Sequence, residues 1–234
     1  MLRKLFQKAA YMLSINSHAG TEKTRAANQV DADIAKRAAA KAAMPMTALD
    51  AVHTEKCRVL PDRRDLLRHL PKGGIAAEIG AAFGDFSKEI FALNQPAQLH
   101  LIDAWETQRY SKGLDQIKDD LADKIAAEAL VIHQGYSTER LAECADDFFD
   151  WVYIDTNHTY ETTFQELVLS AQKTKPQGLI AGHDFCTGNI VKPVLYGVVQ
   201  AVNEFCVKHG WQYRYITLES DGHFSFCLSR IGPS

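Results

Sequence analysis

The sequence predicts an α/β fold in which a doubly wound, mostly parallel sheet carries helices on both faces, preceded by a helical N-terminal extension. Three observations predict it. Short apolar segments that end in an acid or a glycine recur along the chain, helix-forming stretches separate them, and two β-rich stretches joined by a tight turn close the chain. Short apolar strands that alternate with amphipathic helices are typical of a parallel sheet covered on both sides. The terminal hairpin adds an antiparallel strand.

The first part of the chain, residues 1–57, is rich in Ala, Lys and Arg, and Asp31–Ala43 consists of strong helix formers. We interpret it as a helical extension and expect the main domain to cover residues 58–234. Leu2–Leu13 fits a helix on the protein surface better than one that lies on a membrane or a partner. An exposed extension of this kind is suited to a contact between two copies of the chain.

The elements of the main domain follow in order. Asp62–Leu70 predicts a short helix and Pro71–Gly74 a turn. The predicted strands are Ile75–Gly80, Leu99–Asp103, Leu130–Gln134, Trp151–Asp155 and Leu179–Asp184. The predicted helices between them are Phe86–Leu93, Gly113–Ala127, Tyr160–Lys173 and Val194–His209. The predicted hairpin pairs Trp211–Leu218 with His223–Arg230.

Composition and charge limit the function. The 234 residues are 46% hydrophobic and 24% charged, which is typical of a globular protein. The net charge of −3 divides into +5 for residues 1–41 and −8 for the rest, and an acidic body argues against a nucleic-acid substrate. No run approaches the ~18 apolar residues of a membrane span. Five widely spaced cysteines without a CxxC pair predict neither a disulfide framework nor a zinc knuckle, and favour a cytoplasmic protein.

The most informative stretch is the glycine-bearing turn after the first predicted strand, Glu78-Ile-Gly-Ala-Ala-Phe-Gly84. Gly80 and Gly84 allow a sharp turn and the close approach of a ligand, and the helix that follows offers free N–H groups to a carboxylate. The spacing ExGxxxG differs from the GxGxxG of dinucleotide-binding folds. We predict a nucleotide-like ligand that bears an acidic group; the alternative is a structural turn.

Two further strand ends extend the predicted cofactor site. Asp103 ends the next strand, where its carboxylate would accept hydrogen bonds from two ribose hydroxyls. Ala104 and Trp105 follow, and the indole of Trp105 either stacks on an adenine or packs in the core. Gly135 and Tyr136, in the loop after Leu130–Gln134, are predicted to contact the adenine edge.

Four segments of this sequence resemble the class I S-adenosylmethionine (SAM)-dependent methyltransferases, and most closely the branch that includes the macrocin and cephalosporin-pathway O-methyltransferases. The segments are Glu78-x-Gly-x-x-x-Gly84, Leu99-His-Leu-Ile-Asp103, Phe149-Asp-Trp-Val-Tyr-Ile-Asp-Thr-Asn-His-Thr-Tyr160 and Gly178-Leu-Ile-Ala-Gly-His-Asp-Phe185. The resemblance covers about Ile75 to Arg230. It implies a Rossmann-like seven-stranded sheet of order 3-2-1-4-5-7-6, SAM at the carboxyl ends of the first strands, and often a divalent cation. Thr156 and His183 depart from the family pattern, which has Gly and an acid there.

Two neighbouring strands end in polar residues that suit catalysis. Asp155, His158 and Asp184 are the predicted catalytic residues, and Asp155, His183 and Asp184 are the predicted ligands of a metal ion. Asp155 is also predicted to contact the cofactor, together with Glu78 and the residues named above. Carboxylate oxygens favour Mg²⁺, and an imidazole tilts the preference towards Mn²⁺, Fe²⁺ or Zn²⁺. His158 is either a base or ligand, or a residue that caps the next helix. The alternative to metal binding is a structural role, in which Asp184 caps a turn and His183 packs against a strand. The remaining histidines His133, His209 and His223 are assigned to the surface or to packing.

The sequence therefore predicts a SAM-dependent O-methyltransferase that acts on a hydroxyl of a small molecule (a sugar, a natural product or a phenol), with Mg²⁺ or Mn²⁺ as an optional cofactor. The loops Trp105–Gly113 and Cys186–Pro193 are expected to contact the acceptor. Two alternatives stay open. One is a binding or scaffold protein that keeps the fold without catalysis, and the other, which the glycine spacing disfavours, is an NAD-dependent oxidoreductase.

Overall fold

The computed structural model describes residues 27–191 and 193–232. The chain divides into two compact units, Met1–Met44 and Pro45–Ser234. In the first unit, residues 27–43 form helix α1, as predicted for Asp31–Ala43, whereas Leu2–Leu13 lies outside the described residues. Residues 45–57, which the sequence analysis assigned to the extension, lie in the second unit.

The second unit contains all of the strands that the structure describes. They are β1 (Arg58–Leu60), β2 (Ile75–Ile79), β3 (Gln98–Asp103), β4 (Leu130–Gln134), β5 (Phe149–Ile154), β6 (Thr174–Gly182), β7 (Gly188–Asn189), β8 (Val194–Leu195), β9 (Trp211–Thr217) and β10 (Phe226–Arg230). The helices are α2 (Arg63–His69), α3 (Asp85–Asn94), α4 (Gly113–Asp120), α5 (Ala122–Ala126), α6 (Ser137–Glu143), α7 (Tyr160–Lys173) and α8 (Val198–His209), with a 3-10 turn at Ala51–His53.

The main sheet has the strand order β1-β9-β10-β6-β5-β2-β3-β4. Its strands pair in parallel except β10, which is antiparallel to both β6 and β9. When the strands are counted from β2, the order is the 3-2-1-4-5-7-6 that the resemblance implied. β1 adds an eighth strand beside β9. The prediction of a doubly wound, mostly parallel sheet is therefore confirmed.

Strand β5 shows how the two faces of the sheet are buried. Trp151 and Tyr153 pack into one hydrophobic layer, while Val152 and Ile154 pack into the other. All four side chains are at most 4% exposed. Strands that are buried on both faces leave their carboxyl ends as the accessible edge, and in open α/β sheets ligands bind at that edge.

Several elements differ from the prediction. The single helix expected over Gly113–Ala127 is two helices, because Leu121 leaves the helical conformation (φ −118°, ψ 24°). The helix expected from Val194 begins at Val198, because residues 194–195 form β8, which pairs with β7. Helix α6 lies in a stretch without a predicted element.

No helix of the described part of the chain combines the length and the apolar character that a membrane crossing requires.

Candidate functional site

A cavity of about 540 Å³ opens at the carboxyl ends of β2, β3 and β5. This volume suits a small-molecule ligand. Its walls come from strand ends, from the loop after β5, and from the first turns of α6 and α7. The lining residues are Gly80, Ala82, Ile102, Asp103, Ala104, Tyr110, Tyr136, Ser137, Thr138, Glu139, Asp155, Thr156, Asn157, His158, Thr162 and Gln165.

Gly80 forms the floor of this cavity. Its amide donates to the carbonyl of Ile102 (N···O 2.8 Å), and the amide of Asp155 donates to the carbonyl of Ile79 (2.8 Å), so the three strand ends stay in register. At Gly80, φ is +92°, and a Cβ would collide with the carbonyl oxygen of Asp155. Only glycine fits this position.

Glu78 and Gly84, at the two ends of the glycine-bearing turn, do not line the cavity. Gly84 precedes α3 with φ +78°, and a Cβ there would lie 2.6 Å from the side chain of Ile117. Glu78 is 2% exposed, and Ser87 of α3 donates its hydroxyl to the carboxyl group. Burial raises the pKa of Glu78 to about 8. Of the predicted cofactor residues, Glu78 and Gly84 therefore shape the turn and do not line the cavity.

Asp103 faces the cavity and holds the loop around it. Its two oxygens accept from the amides of Ala82 (2.9 Å) and Trp105 (2.8 Å). A carboxylate offers about four acceptor positions, so two stay available for hydroxyl groups of a ligand.

Trp105 does not line the cavity. It is 5% exposed, packs in the core, and its indole N–H donates to the carbonyl of Ala82 (2.7 Å). Gly135 lies behind the wall, where its amide donates to the carbonyl of Asp103 (2.9 Å). The aromatic rings at the cavity are instead Tyr136, which was predicted there, and Tyr110.

The predicted catalytic residues meet at the same edge. Ile154 of β5 pairs with Gly182 of β6, so Asp155 and His183-Asp184 leave neighbouring strands side by side. His158 Nε2 lies 3.0 Å from Asp184 Oδ2. His183 Nδ1 lies 3.7 Å from Asp155 Oδ2 and 3.8 Å from Asp184 Oδ1. Asp155 and His158 also line the cavity.

Electrostatics separates the roles of these groups. Burial would raise the pKa of Asp184, but the hydrogen bonds and charges of the neighbouring imidazoles lower it to about 2. Burial opposes the charged form of His158, yet the carboxylate of Asp184 outweighs it and raises the pKa of the imidazole. Burial raises the pKa of Asp155. Asp184 is thus an ionised partner that orients His158 and favours its protonated form.

His223, which was assigned to the surface or to packing, lies beside the predicted catalytic residues. Its Nδ1 forms a hydrogen bond with Asp184 Oδ1, and Cys186 Sγ lies 3.9 Å from the same nitrogen. Pairing of β10 with β6 brings His223 here, since Phe226 lies opposite Gly182 and the amide of Phe185 donates to the carbonyl of Phe224 (2.9 Å). The local sequence carries no signal for this contact; only the strand order could have predicted it.

Two sets of potential metal ligands have donor atoms within 4.8 Å of one another in the described part of the chain. One is Asp155, His158 and Asp184, and the other is Asp184, Cys186 and His223. The predicted set of Asp155, His183 and Asp184 is present in part, because His183 belongs to neither group of three.

Residues 77–185 match the model of a family described as a methyltransferase domain. No curated protein matches the chain.

Solved structures share its fold. The chain is similar to a SAM-dependent methyltransferase from Aquifex aeolicus, with a TM-score of 0.54 and 12% identity over 72% of this chain and 89% of that one. It is also similar to a putative rRNA-methylase from Clostridium thermocellum, with a TM-score of 0.54 and 14% identity over 74% of this chain and 95% of that one. A putative O-methyltransferase from Nostoc punctiforme gives a TM-score of 0.52 and 15% identity over 70% of this chain, which spans 55% of the Nostoc protein.

Identities this low show a common fold. The fold is the Rossmann-like methyltransferase fold, and residues 77–185 within it, which are less than half of the chain, match a methyltransferase domain.

Proposed function

We propose that this protein transfers a methyl group from SAM to a hydroxyl group of a small molecule. One observation carries the proposal. Gly80 and Asp103, which suit an adenosyl group, line the same cavity as Asp155 and His158. A sulfonium bound between these two ends would face a group able to take a proton.

In the proposed reaction, the acceptor oxygen attacks the methyl carbon as the bond from carbon to sulfur breaks. The products are a methyl ether and S-adenosylhomocysteine, and the acceptor proton goes to His158. The neutral form of His158 takes this proton at Nδ1, because Nε2 donates to Asp184, and the raised pKa of the imidazole makes it a stronger base. Holding the reactants in line supplies about 7–11 kcal/mol, and a positioned base adds roughly 10²–10⁴-fold.

A divalent cation such as Mg²⁺ or Mn²⁺ stays a prediction. Asp155, His183 and Asp184 would hold the cation, because His183 Nδ1 lies 3.7 Å from Asp155 Oδ2 and 3.8 Å from Asp184 Oδ1. When bound, a cation would lower the pKa of the acceptor hydroxyl. His158 would orient the same hydroxyl with or without it.

The acceptor class is also part of the proposal. The acidic body of the chain, with a charge of −8 outside residues 1–41, favours a small molecule over a nucleic acid. The resemblance to the macrocin and cephalosporin-pathway branch points to natural products or sugars. A cytoplasmic location and pairing of two copies through the N-terminal helices belong to the same set of proposals.

The test is an assay for S-adenosylhomocysteine with sugar, phenol and polyketide-like acceptors, in which the product gains one methyl group in mass. His158→Ala, which removes the proposed base, should lower turnover by about 10²-fold or more while it changes SAM affinity much less. Binding of SAM without methyl transfer to any hydroxyl would favour the scaffold alternative. Hydride transfer from NADH without binding of SAM would favour the oxidoreductase.

A further inference from the structure

A second set of donor atoms lies beside the proposed base. Asp184, Cys186 and His223 place a carboxylate, a thiol and an imidazole within 4.8 Å of one another. Cys186 Sγ and His223 Nδ1 are 3.9 Å apart, and His223 Nδ1 contacts Asp184 Oδ1. The proposed reaction uses neither Cys186 nor His223.

The distances suit a small transition-metal ion. Zn²⁺ binds sulfur at about 2.3 Å and nitrogen at about 2.0 Å, so a tetrahedral site separates those two ligands by about 3.5 Å. The separation of 3.9 Å between Cys186 and His223 is close to that value. The ion would replace the hydrogen bond between His223 and Asp184.

The backbone holds the three donors together. Cys186 donates its amide to the carbonyl of Asp184 (2.7 Å), and the neighbouring amide of Phe185 donates to Phe224 on the hairpin (2.9 Å). His223 donates its amide to Asp221 Oδ1 (3.1 Å), which fixes the turn that carries it. The hydrogen bond from Phe185 to Phe224 thus joins the loop after β6 to the turn before β10 beside the donor set.

The two carboxylate oxygens of Asp184 have different partners, one in the proposed catalytic site and one in the second donor set. Oδ2 contacts His158, whereas Oδ1 faces His223. A metal on Oδ1 leaves the orienting contact to His158 in place.

The chemistry of the donors selects the ion. A thiolate and an imidazole bind Zn²⁺ and similar ions far better than Mg²⁺, which prefers oxygen ligands. A thiolate and a carboxylate also balance the charge of a divalent cation. We propose that Asp184, Cys186 and His223 form a zinc-binding site that fastens the turn before β10 to the end of β6. The site is independent of the proposed function, because metal binding needs neither SAM nor an acceptor.

The test uses Co²⁺ as a spectroscopic probe of the full-length protein. One equivalent should produce a thiolate-to-cobalt charge-transfer band and the visible bands of a tetrahedral ion, and one equivalent of Zn²⁺ should remove both. Millimolar Mg²⁺ should leave them unchanged. Cys186→Ser should abolish the charge-transfer band and weaken Zn²⁺ binding by about 100-fold. Cys144→Ser is the matched control, since Cys144 is also partly buried and lies outside the donor set, and this variant should behave like the wild type.

A second measurement needs no variant. Zn²⁺ should slow alkylation of Cys186 by at least about tenfold and leave the partly exposed thiols Cys57 and Cys144 unaffected. Equal alkylation of Cys186 with and without Zn²⁺, or a cobalt band that survives in Cys186→Ser, would overturn the proposal. Either result leaves methyl transfer untouched, so the two proposals fail separately.

Discussion

Gly80 carries the strictest steric requirement at the site. Its φ of +92° is costly for any other residue, and a Cβ would meet the backbone of Asp155, which cannot rotate away as a side chain can. We expect Gly80→Ala to destabilise the protein by about 3 kcal/mol or more and to abolish SAM binding. Urea unfolding and calorimetry measure the two effects.

Gly222→Ala provides the control. Gly222 also has a positive φ (+81°) but no heavy atom within 4 Å of the added Cβ. We expect Gly222→Ala to lower the free energy of unfolding by about 1 kcal/mol and to leave SAM binding unchanged. If both variants lose the same stability, the contact with Asp155 is not what excludes a side chain at Gly80.

His100 gives the native state a sensitivity to acid. Its ring is 6% exposed and hydrogen bonds to His133 (Nδ1···Nε2 2.8 Å). Burial, reinforced by the charge of His133, lowers the pKa of His100 to about 4. The unfolded chain binds the proton at higher pH, so stability falls as the pH drops from 6.5 towards 4, by about 2 kcal/mol.

His100→Phe should remove most of this loss, because the phenyl ring packs in the same place and does not titrate. Urea unfolding between pH 7 and pH 4 measures the difference. His209→Phe, at an exposed ring, is the control and should follow the wild type. An unchanged pH dependence in His100→Phe would show that another group causes the loss.

Between elements, the hydrogen bond of Ser87 to Glu78 joins α3 to β2. The native state holds the carboxyl proton up to about pH 8, whereas the unfolded state releases it near 4.5. The native state therefore binds more protons between these values, and the stability of the wild type falls as the pH rises through them. Glu78→Gln still accepts from Ser87 but does not titrate.

The stability of Glu78→Gln relative to the wild type should thus increase between pH 4.5 and pH 8, by about 3 kcal/mol. SAM affinity should stay within about threefold, because Glu78 does not line the cavity. A difference in unfolding free energy that is constant with pH would mean that Glu78 is already ionised in the native state.

The elements that sequence predicted best are those whose ends carry their own signals. Tyr160–Lys173 was predicted with its observed bounds, because Thr159 caps its first turn by accepting from the amide of Thr162. The division at Leu121 and the start of α8 were missed. Leu121 packs into the core, and residues 194–195 pair with β7, so tertiary contacts override local propensity at both places.

The site residues that could be predicted lie at strand ends, and those that could not are placed by tertiary contacts. Asp103, Asp155 and His158 follow from strand ends, which parallel sheets bring to one edge. Trp105 points away because its indole reaches a backbone carbonyl, and His223 arrives through the hairpin. Neither contact can be predicted from the local sequence.

For the whole molecule, the cavity is a product of the sheet order. Its walls come from strand ends and loops that lie more than 80 residues apart in sequence, from Gly80 to Gln165. Apolar strands and their order could be inferred from alternation and from resemblance, since burial on both faces imposes that pattern. A pocket built in this way binds a ligand only when the complete sheet is folded.

The proposed function depends on hydrogen bonds from the ribose hydroxyls of SAM to Asp103. Calorimetric titration of the full-length protein measures it most directly, with NAD as the competing ligand and the exposed Asp119→Ala as the control. We predict that the wild type and Asp119→Ala bind SAM alike and bind NAD far more weakly, and that Asp103→Ala loses at least about tenfold in affinity for SAM. If the wild type does not bind SAM at millimolar concentration, or if Asp103→Ala binds it as tightly as the wild type, Asp103 does not hold the ribose of SAM.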